Sequence, residues 1–115
     1  MKTSKKQPST TSKSLWEILV PKYSNEGVEF PLTHHQEWDK KVRKLTGGLT
    51  ILKKAKGQWV NLEGKLFSED MIPVRIHCSE PIISEIIDLT LGHYHQEAVL
   101  AYEISERVIL RYRKQ

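Results

Sequence analysis

The sequence contains one cysteine, Cys78, and no apolar run that approaches the length of a membrane span. A single thiol excludes an internal disulfide and any metal site built from several cysteines, and it is typical of proteins from reducing compartments. A transmembrane helix requires about 20 mostly apolar residues, and the basic N-terminus lacks the apolar core of a secretory signal. These absences predict a cytoplasmic location and no membrane partner.

The sequence also lacks the usual motifs for cofactors and metals. No Walker or dinucleotide fingerprint occurs, and the Gly-Gly pair follows a predicted helix, whereas phosphate-binding glycines precede one. No H-E-x-x-H sequence is present, and His93 and His95 would diverge by about 200° on a helix. His34 and His35 occupy the first turn of a predicted helix, where a cation is disfavoured. We therefore expect surface or capping histidines, no bound metal and no cofactor.

Charge is distributed unevenly along the 115 residues. The chain has 18 Lys and Arg against 14 Asp and Glu, a net charge of +4. Residues 1–14 contain four lysines, no acid and one apolar residue, Met1, so they cannot bury enough surface to offset their ordering entropy and are predicted to be a disordered basic tail. Residues 15–115 contain the other 14 bases and all 14 acids, and their length suits one α+β domain.

Hydrophobic periodicity predicts an alternation of strands and helices. Thr33 and Gln36 have the spacing of a capping box at a helix start, and Ser79 with Pro81 marks a second start. The Gly47-Gly48 pair is expected to supply a left-handed C-cap. Strands are predicted at residues 15–20, 49–55, 58–62, from 71 onward, 98–104 and 108–112, with hairpin turns at 56–57 and 63–64.

The order of these elements predicts the fold. It reads β-α-β-β-α-β with an extra small hairpin between the halves, which is the ferredoxin-like α+β sandwich. The helices would cover one face of a mostly antiparallel sheet. The other face, called the open face here, is left for solvent, a ligand or a second subunit.

A set of residues spread over most of the predicted domain carries a resemblance to known proteins. The set is Gly47-Gly48-Leu49-Thr50, Gly57, Trp59, Gly64, Glu69, Tyr94, Gln96 and Val99. In these residues and in its order of strands and helices, the chain resembles a family of small bacterial domains of unknown function. The resemblance implies a compact α+β domain and supplies no established catalytic residue. Some members of the family carry export signals.

A polar patch is predicted on the open face. If Val74, Ile76 and Cys78 point to the helices, Arg75 and His77 point away from them. Because the first and third core strands are neighbours in this fold, Glu17 shares that face. The patch would be an anion or small-molecule site with His77 as a proton carrier, or an ion pair at a dimer interface or on a solvated face.

Bases are concentrated in the first predicted helix and the strand after it, whereas residues 80–106 are acidic. The basic region is suited to nucleic-acid backbone contact, together with the tail. There are two alternatives. In one, the basic region of one copy binds the acidic region of another. In the other, the charged helix faces are simply solvated. The candidate nucleic-acid-binding residues are Lys2, Lys5, Lys6, Lys13, Lys40, Lys41, Arg43, Lys44, Lys53, Lys54 and Lys56.

Three functional hypotheses follow. The first is a non-enzymatic binding domain that forms a homodimer and contacts a protein or small molecule, with Trp59 as a partly exposed contact residue. Trp16 and Trp38 are assigned to the core, and Cys78 is expected to be buried and unreactive. The second is a nucleic-acid-associated protein. The third is an enzyme with acid–base chemistry at the polar patch, which no nucleophile or cofactor motif accompanies.

Overall fold

The sheet and its two helices have the predicted α+β arrangement. The structure, a computed structural model, describes residues 12–114 of the chain. All strand pairs are antiparallel, and the helices pack through a shared apolar core on one face. The elements are β1 (Lys13–Pro21), α1 (Leu32–Thr46), β2 (Thr50–Ile51), β3 (Ala55–Val60), β4 (Leu66–Ser79), α2 (Glu80–His93) and β5 (Ala101–Ser105).

The strand order places β1 and β4 at the centre of the sheet. It runs β2-β4-β1-β5, and β3 also pairs with β4. The neighbouring position of the first and third core strands is therefore confirmed. In this register Glu17 lies opposite Arg75, and Ile18 opposite Val74.

The predicted hairpin turn at 56–57 is wrong, because both residues lie inside β3 and pair with Asp70 and Glu69 of β4. The second predicted turn, at 63–64, is confirmed, because the chain reverses at 61–65. The Asn61 side chain accepts hydrogen bonds from the backbone N–H groups of Glu63 and Lys65, and Gly64 adopts a φ of 82° that favours glycine.

No separate small hairpin forms between β2 and β3. Both run along the same edge of β4, and residues 52–54 interrupt them. The interruption lies beside Pro73 of β4, whose carbonyl accepts the Leu52 N–H at 2.9 Å. Since proline has no N–H, it cannot return the second ladder bond. One edge strand in two pieces thus replaces the extra hairpin.

The core lies between the sheet and the helices. Ile18 and Val20 of β1 point into the core, and so do the facing residues of β4. Trp16 packs against this core, as predicted. Trp38 is fully buried, and its indole Nε1 donates to the Thr90 hydroxyl at 2.9 Å, which joins α1 to α2. The buried apolar residues are Ile18, Val20, Trp38, Val42, Val74, Ile76, Cys78, Ile83, Ile86 and Tyr94.

The helix ends agree with the sequence in part. Gly47 has a φ of 87° and is the left-handed C-cap of α1. Ser79 occupies the N-cap position of α2 and Pro81 lies in its first turn, as predicted, although the Ser79 side chain makes no capping hydrogen bond. The capping box at Thr33 is wrong. The N-cap is Pro31, two residues earlier, and the helix begins at Leu32, because the Pro31 carbonyl accepts the first N–H bonds and no side chain caps this end.

Both chain ends differ from the prediction. β1 begins at Lys13, two residues before the strand predicted at 15, so Lys13 and Ser14 of the predicted tail belong to the sheet; residues 1–11 lie outside the described part. The strand expected at 108–112 does not form, and residues 106–114, called the C-terminal segment here, have no regular structure. Glu106-Arg107 lacks the glycine or asparagine that a two-residue hairpin turn requires.

Within residues 12–114, neither helix is long and apolar enough to cross a membrane.

Candidate ligand site on the open sheet face

A row of polar side chains crosses the open face at the middle of the sheet. Glu17 of β1 has Arg75 of β4 opposite it on one side and Tyr102 of β5 on the other. Thr50 of β2 extends the row beyond Arg75. Strand alternation places these side chains on one face because Ile18 and Val74, one residue along, point into the core.

The Glu17 carboxylate is held on both oxygens. Arg75 Nε donates to Oε1 at 2.9 Å, and the Tyr102 hydroxyl donates to Oε2. Glu17 is 7% exposed, whereas Arg75 and Tyr102 reach solvent. The predicted pairing of Glu17 with Arg75 on this face is therefore present. A carboxylate buried in this way needs its donors, since an unpaired buried charge is costly.

The environment keeps Glu17 ionised. Burial by itself raises the pKa of the Glu17 carboxyl, but hydrogen bonds from Tyr102 and Arg75, with the Arg75 charge, outweigh it and leave the pKa below its ordinary value. The same hydrogen bond, followed by burial, raises the pKa of Tyr102. The tyrosine therefore stays protonated at neutral pH and acts as the donor.

His77 lies further along β4, on the same face but opposite Leu15. Within residues 12–114 no hydrogen bond joins it to Glu17 or Arg75. The structure thus brings two of the three predicted patch residues into contact and adds Tyr102, which the sequence analysis missed. The sequence around Tyr102 does not predict its contact with Glu17, because that contact depends on the register of β5 against β1.

Apolar side chains surround the polar row. Leu15 and Leu19 of β1 are half-buried, and Tyr102 and Ile104 of β5 are 41% and 40% exposed. The open face therefore combines one fixed carboxylate with an apolar border. Ligand sites have this composition, with few polar groups in a mainly apolar lining.

A two-stranded ribbon projects from the end of the sheet. β1 stops at Pro21, opposite Met71, and one further backbone hydrogen bond joins the Lys22 N–H to the Asp70 carbonyl, so residues 57–60 and 66–69 pair only with each other. Trp59 is 49% exposed, as the sequence predicted, and it stacks on Phe67 with ring centroids 4.5 Å apart. Leu62 at the tip is fully exposed. We call this element the ribbon.

Further exposed apolar residues lie in the C-terminal segment. Ile109, Leu110 and Tyr112 are largely exposed, and Val108 is partly so. The segment follows β5, an edge strand of the sheet. Large uncovered apolar surfaces on a small domain mark contact surfaces.

The described residues of the predicted basic set are exposed, and they lie on α1, on β3, in the loop before β3 and, for Lys13, at the start of β1. Lys54 forms an ion pair with Asp70 at 3.5 Å. Lys41 and Lys44 line a groove between the helices together with Glu85. The basic helix therefore has acidic side chains of α2 beside it. Lys2, Lys5 and Lys6 lie outside the described residues.

Four of the five histidines lie near the ends of the helices. His34, His35 and His93 are half-buried around Tyr94, whereas His95 is exposed. Burial lowers the pKa of His35, and the charge of His34 adds to the effect. Sequence spacing gave no sign of this cluster, because it joins residues about 60 positions apart.

Cys78 is 3% exposed, and burial raises the pKa of its thiol to about 11. It faces the core, away from His77, as the alternation predicted. A thiol in this state is a poor nucleophile.

No protein-family model and no curated protein sequence matches the chain. Solved structures do match it. A phage SAM lyase in complex with S-methyl-5'-thioadenosine superposes with a TM-score of 0.64 at 13% identity, over 90% of this chain and 88% of that one.

Proteins named CutA also match. CutA from the bacterium Xylella fastidiosa has a TM-score of 0.63 at 15% identity, over 87% of this chain and 88% of that one. The periplasmic divalent cation tolerance protein CutA from Archaeoglobus fulgidus has a TM-score of 0.58 at 16% identity, over 89% of this chain and 88% of that one. This likeness establishes the fold. The chain has the CutA-like, ferredoxin-type α+β architecture that its element order predicted.

Proposed function

We propose that this chain is a homo-oligomeric small-molecule-binding domain whose ligand lies on the open face, between one copy and the next. The observation that carries the proposal is the Glu17 carboxylate, almost fully buried at the centre of that face and held there by Arg75 and Tyr102. An ion pair that only stabilised the fold would not need exposed apolar side chains around it.

The site suits a nucleoside. Each Glu17 oxygen accepts one hydrogen bond from the protein, and a carboxylate offers about four acceptor positions in all. Acidic side chains commonly bind ribose hydroxyls through such positions. The ring of Tyr102 and the neighbouring leucines provide apolar surface for a base. The complex of the phage SAM lyase with S-methyl-5'-thioadenosine supports this ligand class.

Self-association would cover the apolar surfaces. An isolated two-stranded ribbon is marginally stable in water, and this one presents Trp59 and Leu62 to solvent. The C-terminal segment exposes a second apolar set next to an edge strand. Packing of both against another copy would bury them, and a homodimer is the smallest closed assembly.

The other hypotheses have less support. The nucleic-acid hypothesis depends on basic residues of α1, but Lys41 and Lys44 share their groove with Glu85, which reduces the local positive potential. The enzymatic hypothesis requires His77 to act with Glu17, and no hydrogen bond joins them in the described part of the chain. The cytoplasmic location we propose is supported by the free Cys78 thiol.

Calorimetric titration with S-methyl-5'-thioadenosine tests the proposal. The wild type is expected to bind about one ligand per chain, and Glu17→Gln and Tyr102→Phe are each expected to weaken binding by about tenfold or more, the cost of a lost charge-assisted contact. Glu85→Gln is the matched control, because this exposed carboxylate lies on a helix and not on the open face. Equal binding by wild type and Glu17→Gln, or no binding by the wild type, would contradict the proposal.

A further inference from the structure

Two histidines from different helices form a reciprocal pair at one end of the domain. His34 lies in the first turn of α1, and His93 is the last residue of α2. Their rings stack with centroids 4.0 Å apart, and Phe30 stacks on the other side of His34 at 5.0 Å. Each Nε2 lies 2.7 Å from the backbone carbonyl oxygen of the other histidine.

This geometry fixes the tautomer of both rings. A carbonyl oxygen only accepts hydrogen bonds, so each Nε2 carries its proton and donates it to the partner's carbonyl. In the neutral ring the other nitrogen, Nδ1, then holds a lone pair. Metal-binding histidines are oriented in this way, with one ring N–H donated to a carbonyl or carboxylate and the second nitrogen left for the metal.

A carboxylate completes the group. Glu37 lies three residues after His34, on the same face of α1. One ligand atom from each of His34, Glu37 and His93 falls within 4.8 Å of the other two. Small side-chain rotations bring atoms at this separation to the spacing that ligands have around one ion, given metal–ligand bonds of about 2.0–2.2 Å.

We propose that His34, Glu37 and His93 bind one divalent cation of the zinc type. Two imidazole nitrogens and one carboxylate oxygen are a donor set for zinc and its neighbours in the d-block, whereas calcium and magnesium prefer oxygen ligands alone. Three protein ligands leave at least one coordination position for water or another donor. The site lies on the helical side of the fold, so it does not depend on the function proposed for the open face.

The surroundings support rigid ligands and contain one opposing charge. Tyr94 is buried and its hydroxyl lies 2.7 Å from His35 Nδ1. His35 does not belong to the group whose ligand atoms lie within 4.8 Å of one another. Lys41 is the cation that acts on the His93 ring. Glu37 is exposed, and its replacement by glutamine therefore removes a ligand without disturbing the stack.

Calorimetric titration of the full chain with Zn²⁺ alone gives the first test. The wild type is expected to bind one equivalent, and Glu37→Gln and His93→Gln are each expected to weaken binding by about ten- to a hundredfold or more, since even supporting contacts of a metal ligand have effects of that size. Lys41→Gln is expected to tighten it by about two- to fivefold, because it removes a like charge. His95→Gln is the matched control and should bind as the wild type does.

Proton–nitrogen correlation spectra of the histidine rings supply a test that does not depend on stability. Without metal, His34 and His93 should both show the Nε2–H tautomer. One equivalent of Zn²⁺ should shift the Nδ1 resonances of these two rings and leave His77 and His95 unchanged. Shifts at His95 or His77 instead, or Zn²⁺ binding that Glu37→Gln and His93→Gln leave unchanged in a folded protein, would overturn the site.

Discussion

The Arg75 guanidinium donates through Nε to Glu17 Oε1 at 2.9 Å, across the two central strands of the sheet. The arginine is exposed and the carboxylate is not. Arg75 therefore provides the charge that makes burial of Glu17 tolerable, while Tyr102 closes the other side. The remaining acceptor positions of the carboxylate are the chemical basis of the proposed site.

Replacement of Arg75 by alanine should destabilise the domain. Glu17 would keep only the Tyr102 hydrogen bond, and a buried charge that loses a partner costs about 1–2 kcal/mol or more at a site that solvent partly reaches. Urea unfolding measures the effect. Lys53→Ala removes an exposed base without a buried partner and should change stability by less than about 0.5 kcal/mol. Equal effects of the two substitutions would show that the ion pair contributes nothing.

Acidification should act through the same carboxylate. Since the pKa of Glu17 is lower in the folded protein than its ordinary value of 4.5, the folded state gains stability above that value and loses it as pH falls through the folded pKa. The wild type should therefore lose more stability than Glu17→Gln between pH 6 and about pH 3. Urea unfolding at several pH values gives the two curves, and parallel curves would contradict the assignment.

The two residues of the central pair were predictable from the sequence. Alternation along β1 and β4 places Glu17 and Arg75 opposite the core-facing residues, and the β-α-β-β-α-β order makes the two strands neighbours. Both arguments use local pattern and general topology. The other contacts of the site join residues that lie far apart in the sequence, and local patterns do not predict such contacts.

Tyr102 and the histidine pair show what the sequence does not reveal. Tyr102 reaches Glu17 because the register of β5 against β1 places the two residues opposite each other. His34 meets His93 because α1 and α2 pack side by side in opposite directions, which places the start of α1 beside the end of α2. The turn predicted at 56–57 fails for a different reason: these residues continue β3 alongside β4, and the chain reverses at the second predicted turn, where Asn61 and Gly64 lie.

Thr90→Val should be costly despite its similar volume. Trp38 Nε1 donates to the Thr90 hydroxyl inside the core, and both residues are almost completely buried. The valine would leave the indole N–H without an acceptor, at a cost of about 1–3 kcal/mol. Thermal and urea unfolding check this, with the exposed Thr50→Val as control. A Thr90→Val protein as stable as the control would refute the role of the hydrogen bond.

Cys78 should resist alkylation in the folded protein. The thiol is buried, and its pKa of about 11 leaves little thiolate at pH 8. Iodoacetamide should label it slowly in buffer and rapidly in concentrated urea, as mass spectrometry would record. Fast labelling without urea would mean that β4 is less protected than its packing indicates.

Polar substitution at the ribbon should disrupt self-association. Leu62→Ser with Trp59→Ser removes apolar contacts from a surface that has no covering element within the described part of the chain. Light scattering should show a shift from oligomer toward the 13.4 kDa chain. Leu32→Ser, at an equally exposed apolar residue on the helical side, should leave the mass unchanged. A wild type that is already monomeric would remove the oligomer from the proposal.

Sedimentation velocity with S-methyl-5'-thioadenosine, followed at the adenine absorption band, tests assembly and binding together. Adenine absorbance is expected to move with a species heavier than the 13.4 kDa chain in the wild type and to stay with the unsedimented ligand in Glu17→Gln. Adenine that moves with a monomer, or that moves equally with wild type and Glu17→Gln, would contradict a ligand site on the open face between copies.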